Sequence, residues 1–344
     1  MPSRRFSPAL AAVGLLFLAL PARADGDPKK PETLGTIERL DPKFDDLVPK
    51  GAVIEVLAGG FKWSEGPVWV KDGNYLLFSD IPNNRVCKWS AKDGLQADYL
   101  KPSGFTAGAK FDGREPGSNG LAIDKAGHLI LCQHGDRRIA RRAADGKFVT
   151  LADKYMGKRF NSPNDLVYAA NGDLYFTDPP YGLPKGMDDP AKELDFQGVY
   201  RLKPSGEVTL LTKEMSRPNG IGLTPDGKTL IVANSDGANP IWKAFPVKPD
   251  GTLGEGKVFA DATAGVKAKK PGGPDGFKID AKGNLFATGP GGVWVMDAAG
   301  KHLGTIATGV PTANCAFGDD GSTLYITAND KLVRVRTTAK GQGF

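Results

Sequence analysis

One sentence is written several times along this chain: a carboxylate or carboxamide, usually followed by Gly, a short apolar alternation, a turn around Gly, and a second strand. It reads Pro274-Asp275-Gly276-Phe277-Lys278-Ile279 with a turn at Gly283, and Pro218-Asn219-Gly220-Ile221-Gly222-Leu223 with a turn at Gly227. Pro163-Asn164-Asp165-Leu166-Val167, Asn119-Gly120-Leu121-Ala122-Ile123 and Ala313-Asn314-Cys315-Ala316-Phe317 are further copies, and Ser64-Glu65-Gly66-Pro67-Val68-Trp69 is a looser one. The key positions 65, 119, 164, 219, 275 and 314 are spaced by 54, 45, 55, 56 and 39 residues. Such spacing is near the ~40–50 residues of a propeller blade. Each copy is a hairpin whose Asp-Gly or Asn-Gly type turn supplies positive φ. A unit this small cannot bury its apolar faces alone and must stack on neighbours. The expected fold is all-β, a six-bladed β-propeller with a central channel. Lys331 to Arg336, the last strand, is expected to close the ring with the first.

Radial stacking brings equivalent positions together around the axis. Glu65, Asn119, Asn164, Asn219, Asp275 and Asn314 would then form a ring of oxygen-bearing side chains. Oxygen donors without His or Cys make a hard-ligand site, so a central divalent metal is expected, Ca²⁺ first, with Mg²⁺, Mn²⁺ or Zn²⁺ as alternatives. The competing reading is that Asn or Asp before Gly only builds turns or strand caps.

The amino terminus carries a different signal. Arg4-Arg5, an apolar stretch over residues 10–20 and Ala22-Arg23-Ala24 describe an export leader over residues 1–24. Its apolar run is too short to span a bilayer as a mature helix. An exported protein, periplasmic or secreted, without a membrane anchor after cleavage, is the expectation. The formal charge of +6 includes three leader arginines; without them it is +3, and no basic block interleaved with aromatics suggests nucleic acid. Residues 25–48, with Pro28, Pro31 and Pro42, read as a linker or strap, and residues 49–340 as the propeller. Cys87, Cys132 and Cys315 cannot all pair within one chain, and whether any two do is left open. No G-x-S-x-G, H-E-x-x-H or phosphate-binding loop is present. Paired carboxylates for glycoside hydrolysis stay open, since their separation is a three-dimensional quantity.

Longer motifs carry a resemblance. Ser64-Glu65-Gly66-Pro67-Val68-Trp69, Phe78-Ser79-Asp80-Ile81-Pro82-Asn83-Asn84-Arg85-Val86, Asn161-Ser162-Pro163-Asn164-Asp165, Tyr175-Phe176-Thr177-Asp178-Pro179-Pro180-Tyr181-Gly182, Arg217-Pro218-Asn219-Gly220 and Pro274-Asp275-Gly276 together resemble the gluconolactonase family, which includes regucalcin-type proteins. The resemblance covers about residues 40–335. It implies a six-bladed propeller with one divalent metal deep in the channel, and its ligands fall on Glu65, Asn164, Asn219 and Asp275. It implies hydrolysis of a sugar lactone such as glucono-1,5-lactone, with Asp275 both ligand and general base. His134 stands where the related paraoxonases place one member of a His dyad; its partner position here is Asn119. Asn119, His134, Arg159, Asn161 and Tyr181 are the candidate contacts to substrate. The alternatives are a propeller that only binds a ligand or protein, keeping a structural metal, and the same machinery acting on another ester or lactone.

Overall fold

The structure is a computed structural model that describes residues 1–3, 31–108 and 110–344. The apolar segment and cleavage site of the expected leader lie outside the described residues, as do residues 25–30. The folded unit spans Glu32–Phe344.

Six four-stranded antiparallel arrays form the blades. Four are built from consecutive strands, beginning with Ser64–Val70, Ser118–Ile123, Leu166–Tyr168 and Pro218–Leu223. The fifth, from Phe277–Ile279 to His302–Ala307, gains an extra outer strand, Thr36–Arg39. The sixth has three strands from the end of the chain, and its fourth is Glu55–Gly59, paired with Lys331–Arg336. The expected six-bladed all-β propeller is what forms, and the expected pairing of last strand with first closes it.

Why the chain adopts these hairpins is visible at the turns. Gly127, Gly172, Gly227, Gly283 and Gly321 all have positive φ, between +68° and +92°, a region open to glycine without steric cost. The first blade differs: after Asp72-Gly73 it is Asn74 that turns left-handed, at φ 51°. The core is divided rather than central. Each of six apolar clusters fills one interface between neighbouring blades. Trp69 of the first blade stacks on Tyr325 of the sixth at 5.3 Å, and Phe160 packs edge-on to Phe176 in the interface of blades two and three. Full burial of each such ring contributes about 1.5–3 kcal/mol. The segment before the first blade joins this scheme: Phe44, Leu47 and Val48 are buried between blades five and six. Asp41 accepts the Lys43 N–H at 2.8 Å and caps the single turn Pro42–Asp46 that delivers them. The three cysteines are free and buried. No helix among the described residues is long and apolar enough to cross a membrane.

Candidate functional site

Each key residue sits at the start of a blade's innermost strand or just before it. The register slips directly after three of them, between Glu65 and Val68, Ser118 and Leu121, and Pro218 and Ile221. Such bulges re-aim a side chain and recur beside active sites. The repeated glycine has a second purpose. A Cβ on Gly66 would lie 2.0 Å from the Asn119 carbonyl oxygen, on Gly220 2.2 Å from the Asp275 carbonyl oxygen, and on Gly276 2.0 Å from Asn314 Cγ. Glycine therefore lets one blade's key segment nest against the next, and Gly120 N–H donates to Asn164 O at 2.7 Å across such a junction. Hydroxyls on the second strands reinforce the ring: Ser79 donates to Asn119 O at 2.8 Å and Thr177 to Asn219 O at 2.7 Å. None of the six key residues has positive φ, so none occupies a left-handed turn position.

What this frame holds is a surplus of electron-pair donors. Glu65 is 2 % exposed and accepts the neighbouring Gly66 N–H at 2.7 Å. Burial pushes its carboxyl up to about 8, and the charge of Asp165 adds to the rise. Burial also raises Asp275 well above the carboxylate range, helped by the charges of Glu65, Asp165 and Glu115. The Asp275 Oδ1, Asn164 Oδ1 and Asn119 Oδ1 are buried without a hydrogen-bond partner. Each orphan of this kind costs about 1–3 kcal/mol. Asn219 donates its amide to Ser235 Oγ at 2.9 Å, which leaves its oxygen as the other end. Carboxylates that repel one another beside unpaired carboxamide oxygens fit a hard, oxygen-seeking divalent cation. Glu65, Asn164, Asn219 and Asp275 are the residues able to hold it. No three His, Cys, Asp or Glu side chains among the described residues form a metal-binding group, so two of the four ligands would have to be amides.

Asn314, sixth in the repeat, is engaged elsewhere. Its Oδ1 accepts Cys315 N–H at 2.9 Å, and its Nδ2 reaches Asp165 Oδ2 at 3.5 Å. Blades three and six stand opposite each other, so this pair spans the channel. Asp165 occupies the position that is Gly in four other copies, and the charge of Lys278 partly offsets the cost of burying it. Asp165 is not among the site residues expected from the repeat; its departure from the Gly of the other copies is the signal that marks it.

Three loops surround the ring. His134 is fully buried with both ring nitrogens unpartnered, and its Nδ1 lies 2.9 Å from Glu115 Oε2 without hydrogen-bond alignment. Tyr181 is half-buried; burial, then the charge of Asp275, raises its hydroxyl far above the ordinary range. Gly182 packs against His134, where a Cβ would come 2.6 Å from the imidazole's own Cβ. Arg159 donates to Asp136 O at 2.9 Å, and Asn161 donates to Asp178 O and Phe196 O at 3.0 and 2.9 Å, so both tie loops together. The Asn161 Oδ1 remains unpartnered. Asp178, raised by burial to about 7, accepts Asn161 N–H and Ser162 N–H at 2.8 Å each and holds the segment that ends in Asn164. Asp80 does the same for Glu65 by accepting Lys62 N–H at 3.0 Å. Glu115 carried no sequence signal beyond its place in a long loop.

Residues 63–330 match the family model described as SMP-30/Gluconolactonase/LRE-like region. The chain is 42% identical over 324 residues to a gluconolactonase of Zymomonas mobilis, covering 90% of this chain and 88% of that one. A gluconolactonase structure from Xanthomonas campestris is 30% identical with a TM-score of 0.77, covering 92% of this chain and 99% of the other. The calcium-binding protein regucalcin of Agrobacterium tumefaciens shares the fold at 20% identity and a TM-score of 0.64, over 83% of this chain and 94% of its own.

Proposed function

The chain belongs to the SMP-30/gluconolactonase/LRE-like family, and from that premise we propose that it is an exported, metal-dependent lactonase opening glucono-1,5-lactone or a similar aldonolactone to the aldonic acid. The observation that carries the reading is the unpartnered Oδ1 of Asp275 in the same buried cluster as Glu65.

Glu65, Asn164, Asn219 and Asp275 hold one divalent cation, calcium by the hardness of the donors. When bound, such a cation polarises a carbonyl and stabilises the oxyanion formed on water attack. Asp275 takes the proton of the attacking water. Burial favours that basicity and a neighbouring cation opposes it. A lactone is an activated ester, and needs less assistance than an amide. Asn119 and Tyr181 face the sugar, His134 lies buried beneath that face, and Arg159 and Asn161 shape the loops around it, with Asn161 Oδ1 free to accept a hydroxyl. Export rests on the basic start, short apolar core and Ala22-Arg23-Ala24. Recovery of the mature protein outside the cytoplasm, beginning at Asp25, checks it; an uncleaved cytoplasmic chain counts against it.

The test of activity is hydrolysis of glucono-1,5-lactone by the purified chain from residue 25 onward, background subtracted, after chelation and with Ca²⁺, Mg²⁺, Mn²⁺ or Zn²⁺ restored. Loss with chelator and return with one metal is expected. Tight metal binding with no turnover of glucono- or pentonolactones would leave a binding propeller instead.

A further inference from the structure

Opening a lactone needs two proton movements, and Asp275 accounts for one. Water adds to the carbonyl carbon and gives up a proton. The bond from that carbon to the ring oxygen then breaks, its electron pair leaving on the oxygen. An alkoxide is a poor leaving group unless it receives a proton as the bond breaks.

Glu115 and His134 are the candidates for the second movement. Glu115 comes from the loop before the second blade, His134 from the end of that blade's second strand, and Gly182 of a third loop closes over the imidazole. The pair approaches to 2.9 Å, with the Glu115 side chain 29% exposed and His134 sealed behind it. A buried imidazole with two unpartnered nitrogens is costly, and the Glu115 carboxylate is the charged group against it. Glu115 also belongs electrostatically to the ring, since its charge acts on Glu65, Asp275 and Tyr181. The imperfect alignment is ordinary for a site without substrate.

Resting on the lactonase reading above, we infer that Glu115 is the acid that protonates the departing ring oxygen, with His134 behind it as the positioning residue and proton reservoir. The pair holds one proton between its carboxylate and imidazole; that proton passes through Glu115 to the ring oxygen, which becomes the hydroxyl of the open chain. The pair regains a proton through water at the half-exposed mouth, Asp275 releases the one it took, and the lactone and water together make one hydroxy acid.

The test compares glucono-1,5-lactone with dihydrocoumarin, an aryl lactone whose phenol leaves without a proton. Glu115→Gln should lower kcat on the sugar lactone by about 10²–10³-fold, with KM within about threefold and calcium affinity unchanged. On dihydrocoumarin the loss should be under about fivefold. His134→Gln should shift both substrates in the same pattern by a smaller factor, and serves should the Glu115 variant fail to fold. Equal loss on both lactones, or a change confined to KM, would make Glu115 a binding contact and overturn the proposal. An inactive wild type with every metal sinks the lactonase reading and this inference with it. An active wild type with an unaffected Glu115→Gln variant sinks this inference alone.

Discussion

The two ends of the propeller channel are made by the same six inner strands and could hardly be less alike. At the end where those strands begin, the buried Glu65 carboxyl joins Asn119, Asn164 and Asp275, each with an orphaned Oδ1. Where they finish, Val68, Leu121, Val167, Ile221, Ile279 and Phe317 line an apolar cavity of about 800 Å³. The carboxy-terminal residues lie across that lower mouth: Gln342 donates to Leu223 O at 3.0 Å, Gly341 N–H to Gly321 O at 3.0 Å, and the Lys71 ammonium sits 4.3 Å above the Phe344 ring. Asp165, Lys278 and Asn314 form the partition between the ends. Volume therefore does not mark the chemical end. A cluster of unpaired buried carboxylate and carboxamide oxygens does, because such groups together call for a partner that the chain itself does not supply.

The comparison breaks most decisively at Asp275 and Glu65. Asp275→Asn and Glu65→Gln should each lower lactone turnover by at least about 10²–10⁴-fold, in line with loss of a general base or metal ligand. Glu65→Gln should also weaken calcium affinity by calorimetry. Full turnover of Asp275→Asn at saturating calcium would remove that residue from the base role.

A smaller effect probes how the upper ring is assembled. Gly276→Ala drives a Cβ into the Asn314 side chain, and should cost about 1–3 kcal/mol in denaturant unfolding, as overpacking does. It should weaken metal binding as well, whereas Gly127→Ala at an exposed turn, where a Cβ meets nothing, should cost only the strain of positive φ and leave metal affinity alone.

The pH dependence of the chelated protein sharpens the contrast in charge. Glu65 is raised in the fold from 4.5 to about 8, chiefly by burial, and Asp275 is raised in the same direction. The folded state then binds more protons than the unfolded one, so this contribution is complete below about pH 4.5 and is lost as pH rises through about 8. Metal-free stability should fall across that window, and calcium affinity should rise, because binding displaces those protons. Glu65→Gln should flatten both slopes. A chelated protein that grows more stable from pH 5 to 8 would contradict the crowded-carboxylate account.

The smallest effect belongs to the lower end. Removing residues 341–344 takes away a cation–π contact and three hydrogen bonds, made by Gly341, Gln342 and Gly343. It should cost about 1–2 kcal/mol and leave kcat unchanged. A loss of turnover would mean the two ends communicate.

Much of the architecture was legible along the chain. The copies around 65, 119, 164, 219, 275 and 314 announced the blades because a hairpin's turn and its alternation are local, decided within about a dozen residues. The closing strand was legible too, since a ring of repeats leaves its ends to meet. Thr36–Arg39 was less so: nothing in Thr36-Ile37-Glu38-Arg39 says it will extend the fifth blade and not lie loose, because that depends on an edge more than 260 residues away. Asp165 was hidden by its neighbour Asn164, and Glu115 by an irregular loop.

The sequence by itself determined the number of blades, the hairpin turns, and which residue in each blade would face the axis, all consequences of short-range backbone preference repeated at a regular interval. Only the tertiary structure decided which of those residues stay unpaired. Asn314 is sealed against Asp165 while Asn164 and Asp275 keep free oxygens, and the repeated glycines prove to be points of contact between blades. Hydrogen-bond satisfaction and burial are properties of the closed ring. No single copy of the repeat contains the neighbour that fixes them.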